Sequence, residues 1–130
     1  MIACVVDASA LLAYLQGEPG EEATAEWLDR GAAASALSLQ ELVSQIVRDG
    51  GAAEEAAAIA AGLGLAVHPL TEPLAVEAGA MAAVALPFEL SQGDRACLAL
   101  ARALGVPAVT ADRPWAEVAA ELDVAVELVR

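Results

Sequence analysis

Along the chain, short apolar runs alternate with stretches whose apolar positions recur every three or four residues. Ile2–Val6 is rich in β-branched residues and predicts a buried strand. Asp7-Ala8-Ser9-Ala10 opens a predicted helix through Leu15, closed by Gly17. Glu18-Pro19-Gly20 restarts a helix to about Arg30, with the proline suited to its first turn. Ala33–Leu37 predicts a second short strand. In Ser38–Asp49, the residues Leu39, Leu42, Val43, Ile46 and Val47 share one helical face, and Gly50-Gly51 ends the pattern. A helix over Ala52–Ala61, a strand over Leu65–Val67 and a helix from Thr71 to about Val84, stopped by Pro87, follow. Ser91–Leu104 predicts a largely buried helix, polar beyond its first turn essentially at Arg95 and Arg102, with Gly105 as its stop. Val106–Thr110, Pro114–Leu122 and Val124–Val129 predict strand, helix and strand.

Strands alternating with helices predict an α/β fold in which a central parallel sheet is covered on both faces. The 130 residues show no repeat, linker or charge block, so one domain over residues 1–130 is expected. A hydrophobic fraction of 58% excludes a disordered chain, and with aromatics at 3% the core must be packed from small side chains. Cys4 and Cys97 both lie in apolar runs and read as small buried hydrophobes rather than a disulfide framework. No basic start precedes a long apolar stretch, and no apolar run approaches the ~20 residues of a membrane span. A cytoplasmic protein without membrane contact is expected.

Charge complicates any role with nucleic acid. The formal net charge is −13, and all six basic residues are arginines. Such a surface repels a phosphate backbone unless cations intervene. Yet the acids are placed suggestively. In parallel α/β sheets, ligands bind beyond the carboxyl ends of the strands. Asp7 directly follows the first predicted strand, and Asp112 follows Val106–Thr110, so both should emerge at one sheet edge. Asp94 begins the buried helix that feeds the latter strand. Glu41 falls in the predicted first turn of the helix after the second strand.

Each acid also has a purely structural reading. Ser38-x-x-Glu41 and Ser91-x-x-Asp94 fit capping boxes, and Asp7 and Asp112 could be N-caps. Glu41 sits near Gln45 and Arg48 on a polar face and could simply be solvated. Together, however, four carboxylates in one cleft repel one another unless a divalent cation joins them. Mg²⁺ or Mn²⁺ held by carboxylates activates water and offsets charge on a phosphodiester, which is the chemistry of a metal-dependent nuclease.

The residues also carry a resemblance. Val5-Val6-Asp7-Ala8-Ser9-Ala10-Leu11-Leu12 looks like the opening of PIN-domain proteins. Leu90-Ser91-Gln92-Gly93-Asp94-Arg95-Ala96-Cys97-Leu98-Ala99-Leu100-Ala101 resembles their third acidic motif, and Val109-Thr110-Ala111-Asp112-Arg113-Pro114-Trp115 their fourth. The ending, Val124–Arg130, is similar as well. Resemblance to the VapC-type toxins within that family implies a PIN-like three-layer α/β/α fold and a Mg²⁺-dependent endoribonuclease that cuts tRNA or ribosomal RNA. It also implies a homodimer restrained by a cognate VapB-like antitoxin. By motif position, Asp7, Glu41, Asp94 and Asp112 would be the metal-site acids, and Ser9 and Thr110 supporting polar groups. Arg95 and Arg113, which flank two of the acids, are candidate phosphate contacts. Gln40 stands where family members often carry asparagine, and Trp115, expected to pack in the core, stands where a further acid could be. These departures also fit a family member that only pairs with its partner. A phosphate-accepting receiver domain is disfavoured, since it would want a lysine near the site and the chain has none. His68 has no partner in sequence and no assigned role.

Overall fold

The computed structural model describes residues 1–130. Five strands form one sheet: β1 (Cys4–Val6), β2 (Ala32–Ser35), β3 (Ala66–His68), β4 (Ala108–Thr110) and β5 (Val126–Leu128), in the order β3-β2-β1-β4-β5. Every pairing is parallel. The eight helices are α1 (Ala8–Gln16), α2 (Glu21–Arg30), α3 (Ala36–Arg48), α4 (Ala53–Gly62), α5 (Glu72–Ala80), α6 (Ala82–Ala85), α7 (Gln92–Leu104) and α8 (Trp115–Leu122).

The strands are apolar on both sides because both faces are covered. Successive side chains of a strand point to opposite faces. Val5 therefore joins a core with residues of α5, α6, α7 and α8, among them Ala78, Ala85, Leu98, Trp115 and Val118. Cys4 and Val6 join a second core with Leu11 of α1, Leu42 of α3 and Ala60 of α4. This is the expected three-layer α/β/α arrangement. The inner strand β2, between β3 and β1, is Ala32-Ala33-Ala34-Ser35, all buried. Methyl-sized side chains there let the helices of both layers lie close to the sheet.

Chain order puts β1 and β4 side by side, with Val5 opposite Ala108 and Val6 opposite Val109. After β1 the chain moves through β2 and β3 to one edge, and after α7 it returns through β4 to β5 at the other. The carboxyl ends of β1 and β4 thus flank the point where strand order reverses, the usual location of a ligand crevice in such sheets.

Several boundaries differ from the sequence expectation. Helix α3 begins two residues early because Ser35, not Ser38, is its N-cap, its hydroxyl accepting from Leu37 N at 3.1 Å. The second strand accordingly stops at Ser35 rather than Leu37, Ser38 is buried, and Glu41 lies in the second turn instead of a capping box. Helix α2 begins after Pro19, because Gly20 adopts a φ of 104° and its missing side chain makes room for Val129. The predicted helix from Thr71 to Val84 is broken at Met81 and followed by a single 3₁₀ turn at Leu86–Phe88. Pro87 cannot donate to an α-helical ladder, and the break turns Met81, Ala85 and Leu90 into the core.

Trp115 is fully buried, as expected, and is the largest side chain of a core otherwise built from leucine, valine and alanine with few other large residues. Trp115→Ala should lower unfolding free energy by about 3–5 kcal/mol, read by urea denaturation. A loss below about 1 kcal/mol would mean that this core collapses around the gap.

Candidate active site

Asp7 is the N-cap of α1, its Oδ1 accepting from Ala10 N at 2.9 Å. It is only 3% exposed, so its other bonds matter. Thr110 Oγ1 donates to Asp7 Oδ2 at 2.7 Å, and Ser9 Oγ stands 2.9 Å from both carboxylate oxygens. These two hydroxyls also accept. Ala111 N donates to Ser9 Oγ and Asp112 N donates to Thr110 Oγ1, each at 3.0 Å. With Asp7 N bonded to Val109 O, the ends of β1 and β4 are clasped together. Ser9 and Thr110 are therefore the joint that fixes the loop carrying Asp112 relative to Asp7.

Asp94 does form its capping box. Its Oδ2 accepts from Ser91 N at 2.9 Å, while Ser91 Oγ accepts from Asp94 N at 3.2 Å. The structural and functional readings of this residue are compatible, since Oδ1 takes no hydrogen bond from the protein and Asp94 still faces the cleft. Asp112 accepts from Trp115 Nε1 at 3.1 Å, so the core tryptophan orients an acid instead of replacing one. Glu41 projects from α3 toward the first turn of α7, against Gly93.

These four acids line one cleft of about 460 Å³, together with Ser9, Gln40, Ser44, Gln45, Arg48 and Arg130. Four separate stretches of sequence supply the acids. Their charges act on one another. Burial, and then the charge of Asp94, raises the Glu41 carboxyl above its ordinary range. Burial chiefly raises Asp94, with Asp112 adding to it and the Ser91 bonds and Arg95 opposing. Asp7 is pushed up to about 7 by burial, against the Ala10, Thr110 and Ser9 hydrogen bonds, with Asp94 adding a smaller push. Asp94 is thus coupled to each of the other three.

The donor set is carboxylate and hydroxyl oxygen, which suits a hard cation such as Mg²⁺ or Mn²⁺ rather than zinc. No three His, Cys, Asp or Glu side chains stand in a ready-made cage. Mg²⁺ needs none, because it keeps several waters and takes one or two carboxylates directly. Asp7 and Asp94, with Glu41 and Asp112 beside them, fit that mode.

Not every sequence candidate reaches the cleft. Arg95 turns to the other side of α7, its guanidinium 3.5 Å from Ala78 O, and lines a separate apolar pocket between α5 and α7. Arg113 is exposed and does not line the cleft. The cations that do are Arg48 and Arg130, which the sequence reading passed over. Arg130 pairs with Glu18 at 3.5 Å, and the only other ion pair joins Arg102 to Glu77, so Arg48 is unpaired. Its position on α3, two turns after Glu41 and on the same face, was the available signal. Cys4 and Cys97 are buried free thiols, and His68 lies on edge strand β3 away from the cleft.

The PIN domain family model matches residues 4–121, and the chain belongs to that family. No curated protein matches the sequence. Among solved structures, the fold is similar to VapC20 of Mycobacterium tuberculosis, described as a toxin that cleaves the sarcin-ricin loop. The TM-score is 0.72 at 21% identity, over 89% of this chain and 95% of that one. It is similar also to DNA-bound VapBC of Salmonella typhimurium, with TM-score 0.74, 16% identity and all of both chains covered. A third is VapBC2 of Rickettsia felis bound to a promoter DNA fragment, with TM-score 0.72, 13% identity, and 97% and 98% coverage.

The raised Asp7 carboxyl gives the metal-free protein a defined pH response. Between its ordinary 3.8 and about 7, Asp7 holds a proton in the folded state that the unfolded chain has lost. Stability should therefore fall as pH rises from about 4 to about 8, with Glu41 and Asp94 acting in the same direction. Thermal melts in EDTA should show this decline, flattened in Asp7→Asn. An equally steep decline in that variant would remove Asp7 as its source.

Proposed function

We propose that this chain is a metal-dependent endoribonuclease of the VapC type, hydrolysing RNA phosphodiester bonds in tRNA or ribosomal RNA. The observation that carries the reading is the convergence of Asp7, Glu41, Asp94 and Asp112 on one cleft, with Asp94 coupled to the other three. Support comes from family membership and from the VapC20 description, which names an RNA target for that protein. Mg²⁺ or Mn²⁺ bound there would offset phosphate charge and make water a better nucleophile. Asp7 and Asp94 would hold the ion, and Glu41 and Asp112 would complete the negative field. Ser9 and Thr110 hold Asp7 in a single orientation. Arg48, exposed and unpaired, would take a phosphate of the RNA, with Arg130 as a second cation lining the cleft. That assignment replaces Arg95, which faces away, and leaves Arg113 outside the contact set.

The same reading includes a VapB-like antitoxin as partner, supported by the Salmonella and Rickettsia structures, which are VapBC complexes. It includes a homodimer acting in the cytoplasm. No helix is long and apolar enough to cross a membrane.

Purified protein should cut total RNA with Mg²⁺ or Mn²⁺ and stop in EDTA. Asp7→Asn and Asp94→Asn should each lose more than the 10–100-fold typical of residues that only orient a metal ligand. Full activity in either would exclude that acid from the site. Titration calorimetry distinguishes the alternative of a family member that only pairs with its partner: an absence of divalent binding near neutral pH would favour it. In RNA binding by a cleavage-dead variant, Arg48→Ala should reduce the slope of log affinity against log salt by about 1. An unchanged slope would place Arg48 outside the phosphate contacts.

A further inference from the structure

Gly93 sits at the second position of α7, buried, directly before Asp94. Its backbone is not in the left-handed region, so conformation does not call for glycine. Helix propensity disfavours it, since alanine is the better residue inside a helix. Space explains it. A Cβ on Gly93 would overlap Glu41 Oε1, with Glu41 Cδ at 2.5 Å and Oε2 at 3.0 Å, and these are the three nearest atoms to that position. The Glu41 carboxylate therefore lies against the first turn of α7, in the volume that any side chain at position 93 would take.

We propose that Gly93 is a positioning residue for Glu41: the absence of its side chain admits the Glu41 carboxylate to the first turn of α7, beside Asp94, where the cleft can use it to hold a cation. The claim rests on the metal-nuclease reading for its last step only. Glu41 ends a flexible side chain on α3 and can swing out toward solvent, whereas α7 is held by a buried core along its length. A methyl group at position 93 should thus move the carboxylate and leave the helix in place.

This distinguishes positioning from ordinary packing. A glycine kept for tight helix packing loses stability when replaced by alanine. Gly93→Ala should instead leave the melting temperature equal or raise it, because the helix gains a better residue and a crowded acid is released. Its metal-free crystal structure should show Glu41 displaced from α7. By calorimetry with Mn²⁺, Gly93→Ala should weaken binding by about the same factor as Glu41→Ala, within 10–100-fold. The Glu41→Ala, Gly93→Ala double variant should bind no more weakly than Glu41→Ala alone.

A lowered melting temperature, with Glu41 unmoved and α7 shifted, would overturn the positioning role. A double variant whose loss multiplies the two single losses would overturn action through Glu41. If wild-type protein binds no Mn²⁺, the nuclease reading and the cation step fail together, while the crystal structure and melting temperature of Gly93→Ala still decide whether Gly93 positions Glu41.

Discussion

A carboxylic acid sealed at the junction of two parallel strands is expensive to ionise, and the centre of this protein is arranged around that constraint. Asp7 is almost completely removed from water. Four hydrogen-bond contacts, from Ala10 N, Thr110 and both approaches of Ser9, offset part of the cost but leave the carboxyl raised to about 7. The hydroxyls that serve Asp7 also accept the amides of Ala111 and Asp112. The solvation of one acid therefore fixes the position of another. What remains unsatisfied is negative charge, and a divalent cation is the natural means of satisfying it.

The fold supplies the setting by topology. Because β1 and β4 are neighbours at the reversal of strand order, acids more than a hundred residues apart meet without a long loop to carry them. The two further acids come from helices that bring Glu41 and Asp94 to the same mouth. The α3 acid approaches the start of α7 through the gap left by Gly93. The small residues of β2 and the alanine-rich helices serve the same end, keeping the layers close enough for a narrow cleft.

Much of this was legible in the chain. Asp7 and Asp112 follow apolar runs directly, so a parallel sheet was enough to place them together. Asp94 was legible twice, as a cap and as a motif acid, and both readings describe it. Glu41 was named with the others but also read as a capping-box or solvated acid, because its environment depends on where α3 begins. The sequence pattern pointed to Ser38 as the cap, and the tertiary packing that buries Ser38 leaves Ser35 in that role. Arg95 looked promising by adjacency to Asp94. One residue along a helix is a rotation of about 100°, enough to turn its side chain out of the cleft and toward α5. Gly93 gave no signal at all, since the clash it avoids lies with a residue some fifty positions earlier.

The central claim is that these acids share a cation. The most direct measurement is anomalous diffraction from crystals soaked in MnCl₂. The account predicts a manganese peak in the cleft, in contact with Asp7 or Asp94 oxygens and within water-mediated reach of Glu41 and Asp112. The peak should be absent in Asp7→Asn crystals. Crystals with an ordered, empty cleft at saturating Mn²⁺, or with manganese bound only elsewhere on the acidic surface, would contradict it.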